Sequence, residues 1–188
     1  ALAEMPMIDT LVGTRRPVIY PIYEGSYQRR FPGNSARTAL DTVEWRIHLV
    51  QDVSRTIDYL ETRSDIDHGR LAFAGYSWGA YMGLIVSSIE NRIKANVLAA
   101  GGFQPGRPLP EADPFQFAPR VKVPTLMLNG REDFTYPLET SQKPFFAALG
   151  TAPEHKRHVL FDWGHAITLS QAKSEIVDWL DRYLGPVK

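Results

Sequence analysis

The residues best suited to chemistry in this chain form the pentapeptide Gly75-Tyr76-Ser77-Trp78-Gly79. A serine between small residues does covalent chemistry when it sits on a sharp turn from strand to helix, flanked by glycines because side chains there would meet adjacent backbone. The hydroxyl is a weak nucleophile near neutral pH, so it needs a base within hydrogen-bond reach. The base in turn needs a carboxylate to fix its tautomer. Asp133 and His165 fit those two roles, each following a strand-like run. There is no cysteine, which removes a thiolate nucleophile, a thiolate metal site and a disulfide framework, and leaves serine as the strong nucleophile.

These three residues are useful only if the elements around them bring them together. Leu71-Ala72-Phe73-Ala74 predicts a short buried strand leading into the pentapeptide, and Ala80-Tyr81-Met82-Gly83-Leu84-Ile85-Val86 an apolar helix leading out of it. Three more strands are expected at 93–100, 123–130 and 156–161, and an earlier one at 16–23, stopped by Pro21. Between 41 and 62 the residues Val43, Ile47, Val50, Val53, Ile57 and Leu60 recur at spacings of three and four, one face of a helix, with Trp45 and His48 off the stripe. Helices are also expected at 138–149, capped by Gly150, and at 170–184, whereas residues 1–16 carry little pattern. Strands alternating with helices predict a parallel sheet of about five strands with helices on both faces, a three-layer αβα sandwich formed by one domain over 1–188. In such sheets the loops at the carboxyl ends of the strands line the site, and these include the polar stretch 24–38.

Each candidate has rivals. Glu132 and Asp162 compete with Asp133, which is favoured because Gly130 to Pro137 sets it on the loop after a strand. His155 and His158 compete with His165, yet His158 lies within a strand and His155 before it. Only His165 follows the carboxyl end of the last strand. His48 reads as a surface or packing residue, and His68 faces the wrong end of its strand. The N–H of Trp78, the residue after the serine, is the expected first oxyanion donor, with Tyr23 the candidate second. Residues 101–120, rich in proline and glycine, read as a cap or substrate-binding loop. Phe103, Phe115 and Phe117 there form a candidate acyl pocket, with covering of the core as the other reading.

Bulk properties exclude several classes. Lys+Arg and Asp+Glu are 21 each, and no basic run exceeds Arg15-Arg16 or Arg29-Arg30, so no nucleic-acid partner is expected. No apolar run approaches spanning length and the first residues lack a basic-then-apolar leader, so no membrane association is expected and the cytoplasm is the expected compartment.

With those residues in hand, the chain resembles the dienelactone hydrolase and prolyl-oligopeptidase-like branch of the α/β-hydrolase superfamily, and is especially similar to hydrolase modules that some bacteria carry fused to protein kinases. The resemblance rests on Val18-Ile19-Tyr20-Pro21-Ile22-Tyr23-Glu24-Gly25, on Ile57-Asp58-Tyr59-Leu60, on the pentapeptide, on Asn129-Gly130-Arg131-Glu132-Asp133 and on Gly164-His165, in the order serine, acid, histidine. It implies an α/β-hydrolase fold with Ser77 as nucleophile, Asp133 as triad acid and His165 as base, and no metal or organic cofactor. Relatives carry more sheet ahead of Val18, including the loop that gives the second oxyanion donor, so the expectation is a C-terminal portion or a minimal form whose exposed sheet edge a homodimer covers. The expected activity is hydrolysis of small carboxylic esters through an acyl-enzyme. The alternatives are a peptidase of the same branch and a weakly active interaction or regulatory module.

Overall fold

Short apolar runs bounded by turns form four strands, β1 (Leu71–Tyr76), β2 (Ile93–Ala99), β3 (Thr125–Gly130) and β4 (Lys156–Phe161), all parallel and adjacent in chain order. The structure is a computed structural model and describes residues 5–31, 38–166, 168 and 170–187; part of the expected loop at 24–38 therefore lies outside the described residues. Six α-helices accompany the strands among those residues: α1 (Met5–Val12), α2 (Ala39–Glu61), α3 (Trp78–Ile89), α4 (Pro114–Phe117), α5 (Lys143–Ala148) and α6 (Lys173–Leu184). None of them is long and apolar enough to cross a membrane.

Strand alternation divides the core into layers. Val97 and Ala99 of β2 and Leu126 and Leu128 of β3 point to one face, where Met7 and Leu11 of α1 and Ile176, Trp179 and Leu180 of α6 cover them. Leu98 and Met127 point to the other face and meet Ala80 and Leu84 of α3 and Phe145 of α5. Beyond α3 a further cluster joins Leu49, Val50, Val53 and Ile57 of α2 to Tyr81, Met82 and Ile85. The expected three-layer α/β architecture is therefore present.

Four local expectations need correction. Residues 16–23 form no regular element and belong to no ladder. Pro17 and Pro21 have no N–H to give a neighbouring strand, the Ile22 carbonyl accepts instead from Arg29 Nη1 at 2.7 Å, and Ile19 and Ile22 stay exposed. Residues near the start do have a pattern, since Met7 and Leu11 stand one turn apart on the buried side of α1. In α2 the inward stripe is Arg46, Leu49, Val50, Val53 and Ile57, and Ile47 is 49% exposed. This helix starts at a capping box, in which Thr38 Oγ1 accepts from the Asp41 N–H and Asp41 Oδ2 from the Thr38 N–H. The single helix expected at 138–149 is a π turn, Leu138–Gln142, followed by α5. Gly150 does not cap it in a left-handed conformation but allows close approach to the Pro119 carbonyl.

His158 of β4 points under Phe146, ring centroids 5.4 Å apart, and its Nε2 is buried without a hydrogen-bond partner among the described residues. Burial first, then the charges of Arg131 and Lys143, pull its imidazole from the ordinary 6.5 to about 4. The unfolded chain therefore binds a proton between pH 6.5 and 4 that the folded chain refuses, and stability falls as pH drops through that window, by up to about 3 kcal/mol. His158→Leu is expected to flatten this decline, measured as urea midpoints at pH 7 and 4.5. Parallel losses in both proteins would remove His158 as the cause.

Candidate active site

The end of β1 sets the geometry. Ser77 follows its last residue with φ 53° and ψ −112°, a left-handed, strained backbone for a residue with a Cβ, and α3 begins at the next residue. The Ser77 N–H donates to the Ala99 carbonyl at 2.8 Å, fixing the turn to the end of β2, while its own carbonyl accepts from the Tyr81 N–H at 3.1 Å. A Cβ at Gly75 would lie 2.5 Å from the carbonyl carbon and oxygen of Gly79, so only glycine lets the strand pass under the helix start. The expectation that Gly79 is there for the same reason is not met, because a Cβ on it would find nothing within 4 Å.

Asp133 and His165 come from the next strand ends. The loops after β3 and β4 are laced together, the Arg131 N–H donating to Phe161 O at 2.8 Å and the Glu132 N–H to Trp163 O at 2.9 Å. This close approach requires glycine at 130, where a Cβ would run into the carbonyl oxygens of Trp163 and Gly164. Asp133 is 2% exposed, and its Oδ1 accepts from the N–H groups of Thr135 at 2.8 Å and Tyr136 at 3.0 Å. Its Oδ2 stands 2.9 Å from His165 Nδ1, and His165 Nε2 stands 2.8 Å from Ser77 Oγ. With Nδ1–H donating to the carboxylate, Nε2 is left to accept from the serine hydroxyl. In such a line the imidazole can take the hydroxyl proton and the buried carboxylate can steady the cation that results.

The imidazole is also held from its sides. Tyr76 donates its O–H to the His165 carbonyl at 3.0 Å, and the rings of Tyr76 and Tyr136 lie 6.2 and 5.7 Å from it. The sequence alone gives neither tyrosine this role. Tyr76 could have been suspected from its place before the serine, whereas nothing in the local sequence marks Tyr136.

The rivals lie elsewhere. Glu132 is exposed, Asp162 reaches out to Arg131 at 3.3 Å, His155 pairs with the Tyr183 hydroxyl at 3.0 Å, and His158 is under Phe146. Trp78 is the first residue of α3, where an N–H has no intrahelical acceptor, and its ring stacks on Trp45 at 5.1 Å. Trp45, read as off the helix stripe, thus braces the residue after the serine. Tyr23 packs against the cluster between α2 and α3, where burial and then Asp52 push its hydroxyl up to about 12. Among the described residues no hydrogen bond joins it to Ser77, His165 or Asp133.

Residues 101–120 are more ordered than a loop, with short helical turns at Pro110–Ala112 and Ala118–Arg120 around α4. Phe103 lies between Phe115 and the core residue Phe145, at 5.0 and 5.1 Å. Phe115 is 40% exposed under Arg107, and Phe117 packs toward the α2–α3 cluster. Phe103 and Phe117 thus cover the core, and Phe115 keeps a free surface. A groove of about 610 Å³ bordered by Glu24, His48 and Asp52 along α2 contains none of the three aligned residues. Among the described residues no group of three or more His, Cys, Asp or Glu could hold a metal ion.

Set against known proteins, residues 18–178 match the model of the dienelactone hydrolase family. A search of curated proteins finds no match. Among solved structures, a cold-adapted esterase from an Arctic intertidal metagenomic library is similar at 26% identity and TM-score 0.61, over 72% of this chain and 57% of its own. The chain thus spans little more than half the length of that relative. A Pyrococcus furiosus esterase shares the fold at TM-score 0.73 and 16% identity, over 96% of this chain and 76% of its own. An acylaminoacyl peptidase of Pyrococcus horikoshii does so at TM-score 0.60 and 20% identity, over 75% of this chain and 28% of its own.

Proposed function

The chain belongs to the dienelactone hydrolase family, and from that premise we propose that it hydrolyses small carboxylic esters, with Ser77 as nucleophile, His165 as base and Asp133 as the acid that orients it. The reading is carried by one observation, the unbroken line from Ser77 Oγ to His165 Nε2 at 2.8 Å and from Nδ1 to Asp133 Oδ2 at 2.9 Å, assembled from three separate strand ends. Ser77 Oγ attacks the ester carbonyl carbon as its proton passes to Nε2. The carbonyl π pair moves to oxygen, which accepts a hydrogen bond from the Trp78 N–H. The intermediate collapses with loss of the alcohol, protonated from Nε2, and leaves Ser77 acylated. Water then repeats the sequence, giving its proton to Nε2 and releasing the acid.

The test is direct. A fluorophosphonate probe should label the protein stoichiometrically on the peptide that contains Ser77, and p-nitrophenyl acetate should be turned over. Turnover of aminoacyl amides in preference to esters would replace the ester reading with a peptidase. Absence of both labelling and turnover would leave the fold serving as an interaction module.

A further inference from the structure

We propose that Gln142 is the positioning residue that holds the Asp133 carboxylate against His165. The proposal rests on the triad reading above and concerns a side chain that touches neither the serine nor the histidine. Gln142 is wholly buried, at 0% exposure, and closes the π turn Leu138–Gln142, a distortion that proteins frequently place at functional sites. Its Nε2 donates twice, to the carbonyl of Gly130 at 2.8 Å and to the carbonyl of Tyr136 at 2.8 Å. Gly130 ends β3, and Tyr136 supplies one of the two N–H groups that hold Asp133 Oδ1. One amide nitrogen therefore ties together the two ends of the loop 130–136 on which the carboxylate rides, using both of its hydrogens.

The surrounding backbone reinforces this grip. The N–H groups of Ser141 and Gln142 both donate to the Pro137 carbonyl, at 2.9 and 3.2 Å, a pairing that belongs to the wide π turn. The Ser141 hydroxyl donates to Phe103 O at 2.7 Å, joining the turn to the segment after β2. The same loop presents the Tyr136 ring to His165. Without Gln142 two buried carbonyls lose their donor and the loop has one fewer closure, so the carboxylate can drift by the fraction of an ångström that separates a held imidazole from a loose one.

Gln142→Met keeps the length and bulk of the side chain but donates nothing, and it can be compared with the unaltered protein in both the Asp133 and the Asp133→Asn backgrounds. The Thr135 and Tyr136 amides are expected to exchange with solvent at least about tenfold faster in Gln142→Met, relative to the Val97 and Leu98 amides of β2. On p-nitrophenyl acetate kcat should fall about 10- to 100-fold with KM within about twofold, and the loss should vanish in the Asp133→Asn background, because the glutamine acts only through that carboxylate. Unchanged exchange in a folded variant, or a full additional loss in the Asp133→Asn background, overturns the proposal. Should Gln142→Met not fold, the unaltered protein still answers. Its Gln142 side-chain amide hydrogens should exchange slowly and couple through the hydrogen bonds to the Gly130 and Tyr136 carbonyl carbons, and exchange at the rate of a free amide overturns the idea. These exchange readouts need no substrate, so a protein that held the loop this way yet cleaved no ester would sink the hydrolase reading alone.

Discussion

Asp133→Asn is expected to lower kcat/KM on p-nitrophenyl acetate by roughly four orders of magnitude while leaving the fold intact. The carboxylate is anchored on one side, Oδ1 accepting from the Thr135 and Tyr136 N–H groups, and it faces His165 only with Oδ2. An asparagine in its place must keep its single carbonyl oxygen on those two backbone donors, which turns its NH2 group toward His165 Nδ1. An NH2 group can only donate, so Nδ1 becomes the acceptor and the ring proton moves to Nε2. The base then points a hydrogen at Ser77 Oγ and cannot take its proton. Packing is little disturbed, since the shape is conserved and the Oδ1 contacts survive, so the urea midpoint should stay close to that of the unaltered protein. Activity within tenfold of the unaltered protein would show that Asp133 does not set the tautomer, and attention would move to the neighbouring carboxylates.

The sequence reveals this site unevenly. Ser77, Asp133 and His165 are legible because each follows a short strand-like run bounded by turns within an alternating strand–helix order, and strand ends in a parallel sheet converge on one edge. The supports are not legible. Gln142 and Tyr136 act through backbone carbonyls and N–H groups brought together by a π turn, a distortion that leaves no periodicity to read. Trp45 stays hidden because helix periodicity reports the stripe facing the core, whereas its ring leaves that stripe to stack on Trp78. The segment 16–23 misled for the opposite reason. It has the apolar content of a strand, but a strand exists only when a neighbour supplies hydrogen bonds, and two of its residues are prolines. Among the described residues β1 pairs only with β2, leaving its other edge without a ladder partner.

The two glycines of the pentapeptide should separate sharply when each is changed to alanine. At Gly75 the new Cβ would sit 2.5 Å from the Gly79 carbonyl group and 2.7 Å from the Ala80 nitrogen, atoms of the helix backbone that no rotamer change can move aside. Strand and helix would have to part by several tenths of an ångström. Ala80 is wholly buried among Leu84, Leu98 and Met127, so the displacement would be passed into the core. Gly75→Ala is therefore expected to destabilise the protein by about 3 kcal/mol or more, at or beyond the upper end for added volume in a packed site. Ser77 would move with the turn, so ester turnover would fall as well. Gly79 flanks the same serine but has open space where its Cβ would go, and it lies in the first turn of α3, where alanine is the better helix former by up to about 1 kcal/mol. Gly79→Ala should accordingly leave the urea midpoint unchanged or raise it slightly. Equal destabilisation by the two substitutions would mean that strain at Ser77, and not the contact under the helix, sets the requirement for glycine around the serine.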